Sequence, residues 1–237
     1  MNLKKLLVLP IFLILISSMS VALAMWSETL KINVTVNTGE VDVEIVRAYV
    51  DDDIPPPTIK PDYNGTPNAW PNCTNFNYTG EGWVAVIKGD IDFEELDKDV
   101  AWAEAWTEDT DGDGDNDTAY VKIHNGYPGY MVWLSLEVDN VGTIPIFIDY
   151  YVVNGTTLTK EEIEENNLVF LDANGNCEPE VLIQLYNLLG EQIDPGQGRE
   201  SSWRIVVLQP ASENSEYVIS VKLVAVQWNE SIYYGKK

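Results

Sequence analysis

The 237-residue chain is poor in the side chains on which many enzyme sites depend. It has a single histidine, His124, at the end of a predicted strand. An HExxH zinc site and a Ser-His-Asp triad therefore lack parts. No glycine-rich phosphate loop leads from a strand into a helix. We expect a protein that is not an enzyme, and abundant carboxylates leave glycoside hydrolysis as the one catalytic chemistry to consider.

Basic residues are also scarce. The chain has 14 Lys and Arg against 38 Asp and Glu, which gives a net charge of −24. Such a charge argues against nucleic acid and anionic membrane surfaces as partners, because both would repel the chain. No apolar run after the N-terminal one is long enough to span a membrane.

Only two cysteines occur, Cys73 and Cys177. In an exported chain, a single pair most simply forms one disulfide, and two free thiols are the alternative. Closing a loop of about a hundred residues contributes ~4 kcal/mol in the chain-entropy model.

The N-terminal residues have the pattern of a secretory signal peptide. Lys4 and Lys5 precede an apolar run, Leu6 to Leu15, and Ala22-Leu23-Ala24 supplies small residues for cleavage. We expect residues 1–24 to be removed and the product to be secreted to the cell surface or beyond. Seven Asn-x-Ser/Thr sequons would then be potential glycosylation sites, at Asn33, Asn64, Asn72, Asn77, Asn116, Asn154 and Asn229.

A half-buried strand is predicted directly after the leader. Leu30, Ile32, Val34 and Val36 alternate with polar residues, which is the period of a strand with one apolar face. We therefore divide the mature chain into an N-terminal strand segment, residues 25–38, and one domain, residues 39–237. Such a leading strand can pair with its own sheet or with that of a neighbour.

The rest of the chain predicts an all-β fold. Short apolar segments alternate with turn signals such as Asn125-Gly126 and Asn154-Gly155, which favours a β-sandwich or jelly roll. Thr159 and Glu162 form a capping box that predicts one short helix, Thr159 to Asn166. The apolar run within Glu180 to Leu189 fits helix or strand, and we favour strand. Residues 51–82 are rich in Pro and Asn and are predicted to form a long surface insertion.

The sharpest local motif is acidic. Carboxylates alternate around two glycines, so that a tight turn could direct several oxygens towards one calcium ion. The spacing matches the start of an EF-hand loop, but Tyr120 stands where the last glutamate should be, and a strand follows. We predict a calcium-binding hairpin loop, with a solvated acidic turn as the alternative. The candidate ligands are Asp109, Asp111, Asp113, Asp115 and Asp117.

Eight tryptophans are many for this length. Trp102 and Trp106 fall on one face of a predicted strand, and Trp70 and Trp83 lie in and beside the insertion. Exposed aromatic rings can stack on sugars, whereas packing in a core or between subunits is the more ordinary use.

Several short motifs, in their order along the chain, resemble TasA/camelysin-type proteins and especially their archaeal surface-filament relatives. These are Thr38-Gly39-Glu40-Val41-Asp42-Val43, His124-Asn125-Gly126-Tyr127-Pro128-Gly129-Tyr130, Asn140-Val141-Gly142-Thr143-Ile144-Pro145, Ile193-Asp194-Pro195-Gly196 and Val226-Gln227-Trp228-Asn229. The resemblance implies an exported jelly-roll sandwich that polymerises by donor-strand complementation. Here the donor would be Trp26 to Val36. Some relatives are labelled metalloproteases, but this chain lacks a set of zinc ligands.

The sequence therefore predicts a structural subunit of an extracellular filament or biofilm-type matrix, whose partners are copies of itself or a homologous subunit. The alternative is a monomeric secreted module that binds carbohydrate or the cell envelope.

Overall fold

The structure is a computed structural model that describes residues 39–51, 69–89, 100–164, 167–185, 188–212 and 214–231. By its internal contacts the chain divides into two units, residues 1–38 and residues 39–237. The first unit holds the predicted signal peptide and the predicted N-terminal strand, and both lie outside the described residues. So do the proline-rich residues 52–68 of the predicted insertion.

The second unit is built almost entirely of strands. In chain order, the strands are β1 (Glu44–Asp51), β2 (Asn77–Tyr78), β3 (Trp83–Lys88), β4 (Trp102–Glu108), β5 (Thr118–Gly126), β6 (Met131–Asp139), β7 (Ile146–Val153), β8 (Thr156–Leu158), β9 (Asn167–Asp172), β10 (Val181–Leu185), β11 (Gln192–Ile193), β12 (Gly198–Val207) and β13 (Ser215–Gln227). One α-helix, α1, spans Lys160–Glu164, and a 3₁₀ helix spans Cys73–Asn75.

The strands form two antiparallel sheets. Sheet A has the order β1-β6-β12-β10-β9-β3-β2. Sheet B has the order β11-β7-β13-β5-β4, with β8 paired to β7. Together they make the predicted β-sandwich, which is confirmed.

The main hydrophobic core, here called the inner core, draws its residues from both sheets. Each strand contributes the residues of one face, as β6 illustrates. Its residues Val132, Leu134, Leu136 and Val138 are fully buried, and the residues between them are more exposed. A strand turns successive side chains to opposite faces, so alternate apolar residues line one face. At the centre, the ring of Trp203 meets that of Tyr151 edge-on, with centroids 5.0 Å apart.

A second hydrophobic group, here called the outer cluster, lies on the opposite face of sheet A. Its members alternate with residues of the inner core along β9, β10 and β12, and they are Phe76, Ala85, Leu168, Phe170, Leu182, Val206 and Leu208. Phe76 belongs to the predicted insertion, and Trp70, from the same segment, lies 6.0 Å from the Phe170 ring. The described part of the insertion therefore covers this face of the sheet.

A disulfide between Cys73 and Cys177 joins this covering segment to the turn after β9, as the sequence predicted. The Cα atoms lie 5.0 Å apart, and 104 positions separate the two residues in the chain. A disulfide of this kind is typical of chains that fold in an oxidising compartment.

Two local predictions, one helix and one strand, are confirmed, and four strands were not predicted. The helix is confirmed, because the Thr159 backbone N–H donates to the Glu162 carboxylate at 2.7 Å where α1 begins. The strand within Glu180 to Leu189 is also confirmed, as β10. Strands β2, β8, β9 and β11 were not predicted. Three of these have only two or three residues, and β9 is buried on both faces, which removes the alternating pattern.

Candidate functional site

The acidic loop is the connection between β4 and β5, which pair as a hairpin. The Asp109 carboxylate is directed back across the loop, where it accepts hydrogen bonds from the backbone N–H groups of Gly112, at 2.6 Å, and Gly114, at 3.1 Å. Both glycines have positive φ, at 85° and 111°, a conformation that other residues rarely adopt. The glycines therefore allow the tight turn that the sequence predicted.

Three of the five predicted ligands lie together. Oxygen atoms of Asp109, Asp111 and Asp113 all lie within 4.8 Å of one another, and the three residues are exposed. Carboxylate oxygens at such distances can share one hard divalent cation, and calcium accepts this kind of flexible, oxygen-rich site. Asp115 is not part of this group.

Asp117 has a different environment. It is buried and hydrogen-bonded to Lys222 at 2.7 Å, to Thr110 at 2.6 Å and to Thr118 at 2.6 Å. Burial alone would raise the pKa of Asp117, but these three hydrogen bonds outweigh it and lower the pKa to about 2. Asp117 thus joins the hairpin loop to β13, whereas Asp109, Asp111 and Asp113 are exposed and Asp115 is half-buried.

The structure adds one acidic residue that sequence reasoning did not place here. Asp42, just before β1, has its pKa raised by burial, by the charge of Asp115, by a side-chain hydrogen bond with Asp115 and by the charge of Asp113. The backbone also connects the two segments, since the Ile45 N–H donates to the Asn116 carbonyl at 2.7 Å. Nothing in the sequence pairs positions 42 and 115, because only the packing of β1 beside the hairpin brings them together.

A second turn, built around the single aspartate Asp172, was not predicted. The Asp172 carboxylate accepts from the backbone N–H groups of Gly175 and Cys177, each at 2.7 Å. Buried Glu180 accepts from the Ala173 N–H at 2.7 Å, and burial, together with the charge of Asp172, raises its pKa. The spacing Asp172-x-Asn174-Gly175 repeats part of the first loop and was the available signal. This turn shapes the backbone that carries the disulfide.

The sole histidine is held between two carboxylates. His124 Nε2 lies 2.8 Å from Glu104 Oε1, and Nδ1 lies 3.1 Å from Glu216 Oε1. The Trp102 ring stacks on the imidazole, with centroids 3.8 Å apart and an interplanar angle of 11°. With both ring nitrogens occupied, this histidine joins β4, β5 and β13 and has no nitrogen directed towards a nucleophile.

The predicted glycosylation sites differ in accessibility. Asn72, Asn77 and Asn229 are exposed and Asn116 is half-buried. Asn154 is buried, and its side-chain oxygen accepts from the Ser220 N–H at 3.0 Å, so the folded domain does not offer this sequon. Asn33 and Asn64 lie outside the described residues, as do Leu30, Ile32, Val34 and Val36 of the predicted polymerisation strand.

Comparison with known proteins returns no relative. No family model matches the chain, and no curated protein or solved structure matches it either. Within the described residues, no helix is long and apolar enough to cross a membrane.

Proposed function

We propose that the chain is a secreted, non-enzymatic structural subunit of an extracellular filament or biofilm-type matrix. Subunits would assemble by donor-strand complementation: residues 26–36 of one copy add to an open sheet edge of the next. Main-chain hydrogen bonds would join the strand to the acceptor sheet, and Leu30, Ile32, Val34 and Val36 would fill its apolar groove.

The observation that supports this proposal is that the first residues of the sandwich are held against a neighbouring loop. Residues 39–42 lie against the loop between β6 and β7: the Thr143 N–H donates to the Glu40 carbonyl at 3.0 Å, and the Glu40 N–H donates to Thr143 Oγ1 at 2.8 Å. A Cβ added at Gly142 would lie 2.5 Å from the Glu40 carbonyl oxygen, and one added at Gly39 would overlap the Ile144 side chain. The chain is therefore anchored immediately after the proposed donor, as a strand under load between subunits requires.

The test is to weaken the apolar face of the donor and leave the sandwich intact. The double substitution Ile32→Ser and Val34→Ser should abolish fibres in electron micrographs of the purified mature chain. The monomer should keep the circular dichroism spectrum and thermal midpoint of the parent, because both positions precede residue 39.

The matched control changes the opposite face of the same strand. Lys31→Ser with Thr35→Ser keeps the sequon at Asn33 and should leave the fibres unchanged. Loss of fibres in both variants, or in neither, would contradict assembly through the apolar face.

We further propose that the acidic loop binds calcium through Asp109, Asp111 and Asp113. Asp113 and Asp115 both act on Asp42, three residues after the anchored Gly39. A cation there would neutralise a crowded set of negative charges near residue 42, a few positions after the proposed donor in the chain. This position would make assembly respond to calcium.

Calorimetric titration of the mature chain with calcium tests the site directly. We expect saturable binding tighter than millimolar, together with a higher thermal midpoint. Asp109→Asn with Asp111→Asn should remove both effects, and Asp194→Asn, at another exposed turn, should retain them. If the double variant and the parent bind calcium equally, the loop is not the site.

A further inference from the structure

The outward face of sheet B carries two aromatic pairs, in cross-strand rows that lie on either side of a charged row. The register places Trp102 opposite His124, Glu104 opposite Lys122, and Trp106 opposite Tyr120. On the next strand, Val218 lies opposite Lys122 and continues the middle row. We call this surface the aromatic face. It is defined by Trp102, Glu104, Trp106, Tyr120, Lys122, His124 and Val218.

Each tryptophan of the aromatic face has one ring face covered. Trp102 stacks on His124, and Trp106 stacks on Tyr120 with centroids 5.3 Å apart and an interplanar angle of 13°. Because the covering rings come from β5, the other side of each indole is turned away from that strand. Trp102 is 51% exposed and Val218 is 50% exposed. The aromatic face is therefore exposed at Trp102 and Val218, and Trp106 at its other end is half-buried.

The rings are held in place before any ligand arrives. Glu104 and Glu216 bind the two nitrogens of His124, and Lys122 forms an ion pair with Glu216 at 2.9 Å. Trp106 donates its indole N–H to Glu108 at 2.9 Å. A surface whose side chains are already ordered loses little conformational entropy when it binds.

The two tryptophans stand four residues apart on one strand, or about 13 Å at the rise of a β-strand. Glu104 lies between them, about half exposed, and offers carboxylate oxygens as hydrogen-bond acceptors. The two indole rings could stack on the apolar faces of a ligand's rings, and Glu104 could accept hydrogen bonds from hydroxyl groups at their edges. This is the chemistry of an oligosaccharide.

We propose that the aromatic face binds an uncharged or amine-bearing oligosaccharide that runs along β4. The net charge of −24 and the carboxylates of Glu104, Glu108 and Glu216 disfavour acidic polysaccharides and nucleic acids. An amino group would gain from these carboxylates and from the indole faces. This function does not depend on the proposed assembly, because it uses residues of the sandwich alone.

The test is calorimetric titration of the full mature chain with cellohexaose, maltohexaose, chitohexaose and the glucosamine hexamer. At least one of these probes should bind with a Kd below millimolar. Trp102→Ala and Trp106→Ala should each weaken that binding about tenfold or more, and Trp102→Phe should restore part of it. An oligomer of galacturonic acid should not bind.

Trp83→Ala is the matched control, because Trp83 is 39% exposed but belongs to sheet A. This variant should bind like the parent. The proposal is overturned if none of the probes binds below millimolar, or if Trp102→Ala and Trp83→Ala bind equally well. It is also overturned if Trp102→Ala instead abolishes a concentration-dependent self-association, since the aromatic face would then be a contact between protein copies.

Discussion

The inner core and the outer cluster lie on opposite faces of the same sheet, yet they are closed in different ways. The inner core is closed by sheet B, whose strands present alternate apolar residues to those of sheet A. The outer cluster has no second sheet in the described structure and is covered instead by a segment with a 3₁₀ helix, Phe76 and Trp70.

The difference shows what an irregular segment needs in order to replace a sheet. A short covering segment buries little apolar surface and makes few backbone hydrogen bonds. The conformational entropy lost when it becomes ordered is therefore large compared with the free energy gained from burial. The disulfide to Cys177 reduces that entropy in the unfolded chain. The outer cluster should therefore depend on the covalent link, and the inner core should not.

The largest effect is expected in the inner core. Trp203→Ala should lower the free energy of unfolding by about 4 kcal/mol, because it removes a fully buried ring and leaves the Ser201 hydroxyl without its indole donor. Chemical denaturation measures the loss. Val218→Ala, at an exposed position, is the control and should change the value by less than about 0.5 kcal/mol. Equal losses would mean that the core does not depend on this ring.

The next largest effect separates the two regions. Cys73→Ser with Cys177→Ser should lower the free energy of unfolding by about 3 kcal/mol, less than the chain-entropy value because the unfolded chain keeps some structure. Hydrogen exchange should become faster in the segment 69–78 and at β3, and remain slow in β5, β6 and β13. A uniform increase across both sheets would instead show that the two regions unfold together.

A smaller effect concerns Asp117, which joins the hairpin to β13. Its pKa is lowered on folding, so its contribution is fully present above about pH 4 and is lost as the pH falls towards 2. This contribution is about 2 kcal/mol. Asp117→Asn should therefore be less stable than the parent at pH 6, and the difference should shrink at pH 2. A constant difference between pH 6 and pH 2 would contradict the ion pair with Lys222.

The smallest effect is expected at the helix start. Thr159→Ala removes a hydroxyl that lies 3.0 Å from the Glu162 carboxylate and should lower stability by about 1 kcal/mol. Thr159→Ser keeps the hydroxyl and should restore most of the loss in the same denaturation experiment. The change should leave the outer cluster unaffected, since Ile163 of this helix belongs to the inner core.

Much of the fold could be predicted because a strand with one buried face alternates apolar and polar residues in the sequence. Strand β6 alternates buried and more exposed residues, whereas β9 carries apolar residues on both faces and was not recognised. The candidate site divides in the same way. The glycine-spaced aspartates predicted a tight acidic turn, but the spacing could not reveal that Asp117 faces Lys222, 105 residues later.

The sequence alone determined an acidic all-β chain, the one disulfide that two cysteines can form within the chain and a tight turn rich in aspartate. Each of these follows from local spacing or from composition. Only the tertiary structure decided which apolar residues face sheet B and which face the insertion, why Asp42 lies beside Asp115, and how His124 comes to lie between Glu104 and Glu216. These contacts join residues distant in the chain, and only the pairing and packing of strands brings them together.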